Sequence, residues 1–86
     1  MEINVTDRAR EDLAFWKKSG NASVQNKISK LIESILASPY SGIGKPEPLK
    51  YELTGTWSRR INQEHRLVYE VDGNTITILS LRGHYE

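Results

Sequence analysis

The hydrophobic period of this chain changes once along its length, and the change separates two kinds of element. The opening EINV alternates and suits a short strand, after which Thr6 or Asp7 can cap a helix. Ala9, Leu13 and Trp16 form one apolar helical face, and Lys17, Lys18 and Gly20 supply a basic last turn and a stop. Asn21 or Ser23 restarts a second helix, whose stripe of Val24, Ile28, Leu31, Ile32 and Ile35 ends before Pro39. So short a link predicts an αα-hairpin. SPYSGIGKPEP then reads as turns. Beyond it KYEL, TWSRRIN, HRLVYEV and TITILSL, rich in β-branched and aromatic residues, predict four strands. LTGT and VDGNT are hairpin turns of the kind glycine permits. The expectation is an α+β domain over residues 1–86: an N-terminal strand, a helical hairpin, and a four-stranded antiparallel meander packed on the helices. The N-terminal strand is expected to join that sheet.

Composition narrows the class. The 86 residues, 37% hydrophobic and 27% charged, are those of an ordinary globular protein with one small core. No apolar run approaches the ~18 residues of a membrane span, and MEINVTDRAR is polar where a signal peptide needs a basic end and an apolar stretch. The absence of cysteine leaves neither disulfides nor a thiolate metal site and fits a reducing cytosol. A net charge of +1, spread evenly over both halves, is not that of a nucleic-acid binder acting through bulk charge. A case for RNA rests on where the arginines fall.

GKPEPLK, residues 44–50, sets one carboxylate between two prolines and brackets it with lysines. Lys45 and Glu47 each precede a proline, which biases both toward extended geometry, so their side chains are expected to share a side. The segment is either a rigid connector with solvated charges or a carboxylate held in place for proton transfer. Arg59 and Arg60 are neighbours in one strand and point to opposite faces; Arg66 and Arg82 lie on the strands that follow. Four arginines on adjacent strands can line a sheet face and grip phosphates, or pair with Glu52, Glu64 and Glu70 across strands. His65, at a strand start, reads first as a structural hydrogen-bonding residue or an exposed one, with a chemical role as the lesser alternative. His84, in the terminal LRGHYE, belongs either to a frayed tail or to a terminus held against something. The two histidines match no metal-ligand spacing, and neither a nucleophile motif nor a phosphate loop is present. One fixed carboxylate, histidine, arginines, lysines and a tyrosine suit RNA cleavage without metal or cofactor. Such cleavage needs a base for the 2′-hydroxyl, cations for the charge growing on phosphorus, and an acid for the leaving 5′-oxygen. The substrate brings its own nucleophile.

GKPEPLK, LTGTWSRRI, EHRLVYEV and a terminal His-Tyr, in that order, resemble the YoeB/Txe branch of RelE-type toxins over nearly the whole chain. The resemblance implies a RelE-like, microbial-ribonuclease-like fold and the toxin of a type II toxin–antitoxin pair. It implies an mRNA interferase that enters the ribosomal A site and leaves 2′,3′-cyclic phosphate and 5′-hydroxyl ends. By the same resemblance Glu47 is the general base, Arg66 stabilises the transition-state phosphate and His84 is the general acid. Lys50 and Tyr85 take accessory RNA-binding positions; Lys45 flanks the base, and Arg59 and Arg60 match family positions near the RNA. The implied partners are the 70S ribosome with its mRNA, a YefM/Axe-like antitoxin, a second copy in a homodimer, and operator DNA reached only through the antitoxin. The setting is cytoplasmic, with no membrane. The chain departs from the family by adding Glu86 and by carrying Tyr51 where relatives often have histidine. A non-catalytic RNA- or partner-binding regulator on the same fold and a ribosome-independent ribonuclease are the rival readings. A gyrase-poisoning ParE-type toxin lacks the Glu/Arg/His set.

Overall fold

In the computed structural model the described residues are 1–49 and 55–83. Strand β1 (Glu2–Val5) leads into helix α1 (Asp7–Ser19), whose first turn is capped by the Thr6 hydroxyl accepting the Ala9 N–H. Gly20, at φ 70°, ends α1 in the left-handed conformation, and its N–H donates to the Lys17 carbonyl. Asn21, one of the two residues the sequence offered, caps helix α2 (Ala22–Ala37) by accepting the Val24 N–H. The second helix ends at Ala37, directly before the Ser38-Pro39 pair, whose Ser38 is extended as a residue before proline favours.

Four short strands follow: β2 (Glu47–Pro48), β3 (Thr56–Arg60), β4 (Arg66–Asp72) and β5 (Thr75–Ser80). The sheet order is β1-β5-β4-β3-β2, antiparallel throughout β2 to β5 but with β1 parallel to β5. The meander is therefore completed into a mixed sheet. β1 can lie parallel to β5 because both helices intervene in the chain. The expected KYEL strand falls on residues 50–53, outside the described residues; the strand described before it is Glu47–Pro48, which pairs with β3.

Residues directly opposite one another share a face. The inner face carries Arg59, Leu67, Tyr69, Ile76 and Ile78, against which α1 and α2 bury Ala9, Trp16, Val24, Ile28, Leu31 and Ile35. Burial of side chains such as Leu31 and Ile78 contributes about 1.5–3 kcal/mol each. α1 is also fastened to the end of β5 by polar contacts. The Trp16 indole donates to the Leu81 carbonyl at 2.9 Å, the buried Asp12 carboxylate accepts the Leu81 N–H at 2.9 Å, and Thr6 Oγ1 donates to the Ile78 and Leu79 carbonyls. No helix among the described residues is long and apolar enough to cross a membrane.

Candidate active site

The outer sheet face is built by register. Glu47 lies opposite Ser58, Ser58 opposite Val68, and Arg60 opposite Arg66. Alternation along β3 and β4 then sets Glu47, Ser58, Arg60 and Arg66 on one face. The Glu47 carboxylate is 3.6 Å from Arg66 Nη1, and the same Nη1 donates to Ser58 Oγ at 3.1 Å. Arg66 is thereby aimed from its own strand across β3 toward β2. Glu47 itself is largely exposed, so its contact with Arg66 leaves it open to a ligand.

Arg60 and Arg66 are a like-charged pair directly across two strands, an arrangement that costs stability when nothing lies between them. Both lie on the face that carries the exposed Glu47 carboxylate, and guanidinium groups are suited to binding anions such as phosphate.

The other two arginines go elsewhere. Arg59 is fully buried, and all five of its N–H donors are used. Nε donates to Tyr69 OH at 3.1 Å; Nη1 to Ser34 Oγ at 2.8 Å and the Ile43 carbonyl at 3.1 Å; Nη2 to the Ser38 and Ser41 carbonyls at 2.8 and 3.0 Å. The expectation that Arg59 contacts RNA is therefore corrected: its guanidinium clamps the turn of residues 38–43 onto α2 and β4. The physical reason is register, which turns Arg59 inward on the strand that turns Arg60 outward. Arg82 lies 3.9 Å over the Phe15 ring of α1 instead of joining Arg60 and Arg66. Among the described residues none of the four pairs with Glu64 or Glu70.

The loop that brings Glu47 to the site also departs from expectation. Lys45 has φ 52°, in the left-handed region, directly after Gly44 at φ 82°. It is not extended, so the alternation that would set Lys45 beside Glu47 does not reach back to it. A following proline favours extended geometry at negative φ, so the positive φ of Lys45 is imposed by the turn it belongs to and not by Pro46. Two positive-φ residues in a row reverse the chain sharply, which lets the Gly44 carbonyl accept the Arg60 N–H at 2.7 Å. Pro46 follows and Glu47 enters β2 extended, as expected of a residue before Pro48.

Lys50, His84 and Tyr85, assigned to the site by resemblance, lie outside the described residues. The last described residue, Gly83, is held by the site's own strand: its carbonyl accepts the Arg66 N–H at 3.0 Å, and its N–H donates to His65 Nδ1 at 2.9 Å. Sequence reasoning missed Ser58, Asp12, Ser34 and Tyr69. Ser58 was the most accessible of these, since alternation in TWSRR sets it on the same face as Arg60. Burial holds the Tyr69 hydroxyl above its usual pKa, with the Arg59 hydrogen bond and charge pulling weakly the other way.

A sequence model of the YoeB-like toxin of bacterial type II toxin–antitoxin systems matches residues 5–85. The toxin YoeB of Mycobacterium bovis is 47% identical over 83 residues, covering 96% of each chain. Among solved structures, a YoeB/ParE toxin from Agrobacterium tumefaciens superposes with a TM-score of 0.92 at 40% identity, over 99% of this chain and 100% of that one. YoeB of Staphylococcus aureus is similar both as a dimer (TM-score 0.89, 45% identity) and in complex with YefM (TM-score 0.85, 46% identity), each over 99% of this chain and 98% of the other.

Proposed function

Since this chain belongs to the YoeB-like toxins of bacterial type II toxin–antitoxin systems, we propose that it is an endoribonuclease that cuts mRNA in the ribosomal A site by general acid–base catalysis. The observation that carries this reading is the Glu47–Arg66 pair at 3.6 Å, on a sheet face where Arg60 stands opposite Arg66. An incoming phosphodiester takes the place between the guanidiniums and frees the carboxylate for its task.

Glu47 removes the proton of the ribose 2′-hydroxyl. The 2′-oxygen then forms a bond to phosphorus as the bond from phosphorus to the 5′-oxygen breaks, and His84 donates its proton to that leaving oxygen. The products are a 2′,3′-cyclic phosphate and a 5′-hydroxyl. Arg66, with Arg60 across from it, acts where negative charge builds on the phosphoryl oxygens. Ser58 holds the guanidinium of Arg66 in line, so little reorganisation is needed at the moment of reaction. Lys50 and Tyr85 take part in binding and orienting the RNA, and Lys45 adds positive charge at the loop. The low net charge fits an enzyme whose substrate is positioned by the ribosome and not captured from solution by long-range attraction. A YefM-like antitoxin and a second copy of the chain are its proposed protein partners, as in the Staphylococcus aureus relative. Operator DNA is reached through the antitoxin, and the setting is the cytoplasm.

The test is primer extension on a reporter mRNA in a reconstituted translation reaction, with wild-type protein and Glu47→Gln. Cuts that need ribosomes and fall by about 10²–10⁴ in the variant are expected, the usual worth of a positioned base. Glu47 is exposed enough that the variant stays folded. Cuts without ribosomes would make the protein a free ribonuclease, and no cuts from folded wild-type protein would leave a binding protein.

A further inference from the structure

Glu47 is carried by a strand of two residues at the edge of the sheet, so its place depends on how the chain enters that strand. On the far side the ladder is regular: Glu47 and Pro48 lie opposite Ser58 and Trp57, and the Leu49 N–H donates to the Thr56 carbonyl at 2.8 Å. An unbroken antiparallel ladder in this register would set Lys45 opposite Arg60. The Arg60 N–H goes instead to the Gly44 carbonyl at 2.7 Å, one residue earlier. Gly44 and Lys45 therefore both stand against Arg60, the two-against-one count of a β-bulge. A bulge bends its strand and re-aims the side chains beside it. Here the bulge lies just ahead of the carboxylate.

The backbone torsions around the bulge are restricted on both sides of Lys45. Gly44 is pressed against α2 and β3, since a Cβ there would fall 2.6 Å from Leu31 Cδ2 and 3.1 Å from Arg59 Cβ. The Pro46 ring fixes its own φ, and Glu47, before Pro48, is held extended. Lys45, at φ 52°, supplies the turn between these two ends and is the one non-glycine among the described residues at positive φ. Its side chain is exposed, so packing of that side chain does not set the backbone. An L-residue reaches this region at a cost, and one branched at Cβ is a genuine outlier there. A residue unable to adopt it would force one end to move. Gly44 is packed on the core, whereas β2 is a short edge strand, so the end that moves is the one carrying Glu47.

We propose that Lys45 is a positioning residue for the base: beyond the charge it adds, its positive φ closes the bulge, fixes where β2 begins and so holds the Glu47 carboxylate beside Arg66. The inference rests on the reading of Glu47 as the base. In this role Lys45 acts through the backbone and transfers no proton.

The full-length protein with Lys45→Gly, Lys45→Asn and Lys45→Val tests this. All three lose the ammonium, so whatever its charge contributes to binding RNA is lost alike. Glycine and asparagine enter positive φ readily, and valine does not. In ribosome-programmed cleavage Lys45→Gly and Lys45→Asn should share one kcat. That of Lys45→Val should be roughly 10–100-fold lower at the same KM, the signature of a displaced reacting group. Amide exchange at Leu49 should be about tenfold faster in Lys45→Val than in Lys45→Gly, the worth of one such hydrogen bond, while the Arg60 amide stays protected. A Lys45→Val protein with the kcat of Lys45→Gly would overturn the proposal whatever its stability. Equal losses of kcat in all three variants would also overturn it, by making the ammonium the part that matters. Should Lys45→Val not fold, Lys45→Ala takes its place; its kcat should lie below that of Lys45→Gly, and an equal kcat would overturn the proposal. Failure of the underlying reading shows differently, as Glu47→Gln protein that cleaves like wild type while its Leu49 amide is protected.

Discussion

Replacing Arg59 by methionine should cost stability, whereas replacing Arg60 should cost catalysis, although the two arginines are adjacent. The Arg59 guanidinium makes five hydrogen bonds from a fully buried position. Two of its acceptors have other engagements: Tyr69 OH still donates to the Pro39 carbonyl at 2.6 Å, and Ser34 Oγ still accepts the Ile43 N–H at 3.3 Å. The carbonyls of Ser38, Ser41 and Ile43 are what methionine leaves without that donor. An unsatisfied buried acceptor costs about 1–3 kcal/mol. Ser41 and Ile43 lie at the surface, where water replaces part of the loss. Methionine also relieves the desolvation of a buried charge. These terms together leave Arg59→Met about 2–4 kcal/mol less stable, a large share of the roughly 5–10 kcal/mol a domain of this size holds. With an m-value of about 1 kcal/mol/M, the urea midpoint should drop by about 2–4 M. Arg59→Lys, with three donors and no planar fork, should lose about half as much. Arg60→Met should stay within about 0.5 kcal/mol of wild type while cleavage falls. An Arg59→Met protein with a wild-type midpoint and lost cleavage would refute the reasoning, because the guanidinium would then be meeting RNA and not the turn.

Gly44→Ala should destabilise by about 1–3 kcal/mol in urea melts, since its φ is 82° and an added Cβ would fall 2.6 Å from Leu31 Cδ2 and 3.2 Å from the Arg60 carbonyl. A neutral result would mean that the loop can reopen without consequence. Because burial raises the Tyr69 pKa, the folded protein keeps that proton where the unfolded chain gives it up. The corresponding stability is whole below about pH 10 and is lost as pH rises from there through the folded pKa. Wild-type urea midpoints should therefore fall more steeply than those of Tyr69→Phe above about pH 10, lysines titrating alike in both; parallel curves would count against the burial argument.

The helices were legible because their signals are local. The Thr6 cap, the Gly20 stop and the stripe from Val24 to Ile35 each depend on residues within a few turns of one another. The parallel seat of β1 beside β5 and the two-residue β2 were not, because pairing partners lie far apart in sequence and register is a property of the pair. Adjacent arginines in TWSRR announce opposite faces but not which one is inward. Ordinary hydrophobicity would place neither inside. What makes Arg59 the inner one is a set of carbonyls on a turn between Ser38 and Ile43, invisible until that turn folds. Asp12 was hidden for the same reason: its partner, the Leu81 N–H, arrives from 69 residues away.

The proline-flanked carboxylate takes on a different meaning in this light. Two prolines stiffen a loop, but stiffness alone does not say where the loop is. Glu47 is located by what precedes it: Arg59 holds the turn of residues 38–43, Gly44 and Lys45 reverse the chain through positive φ, and the Gly44 carbonyl meets the Arg60 N–H. A non-glycine residue at positive φ costs on the order of 1–3 kcal/mol, so Lys45 is held there by contacts on either side and not by preference. The same strand does both jobs, since β3 sends Arg59 inward to anchor the loop and Arg60 outward beside Arg66. Placing Glu47 and the outward-facing arginines thus depends on one register, and a one-residue slip of β3 would bury Arg60, expose Arg59 and release Glu47 together.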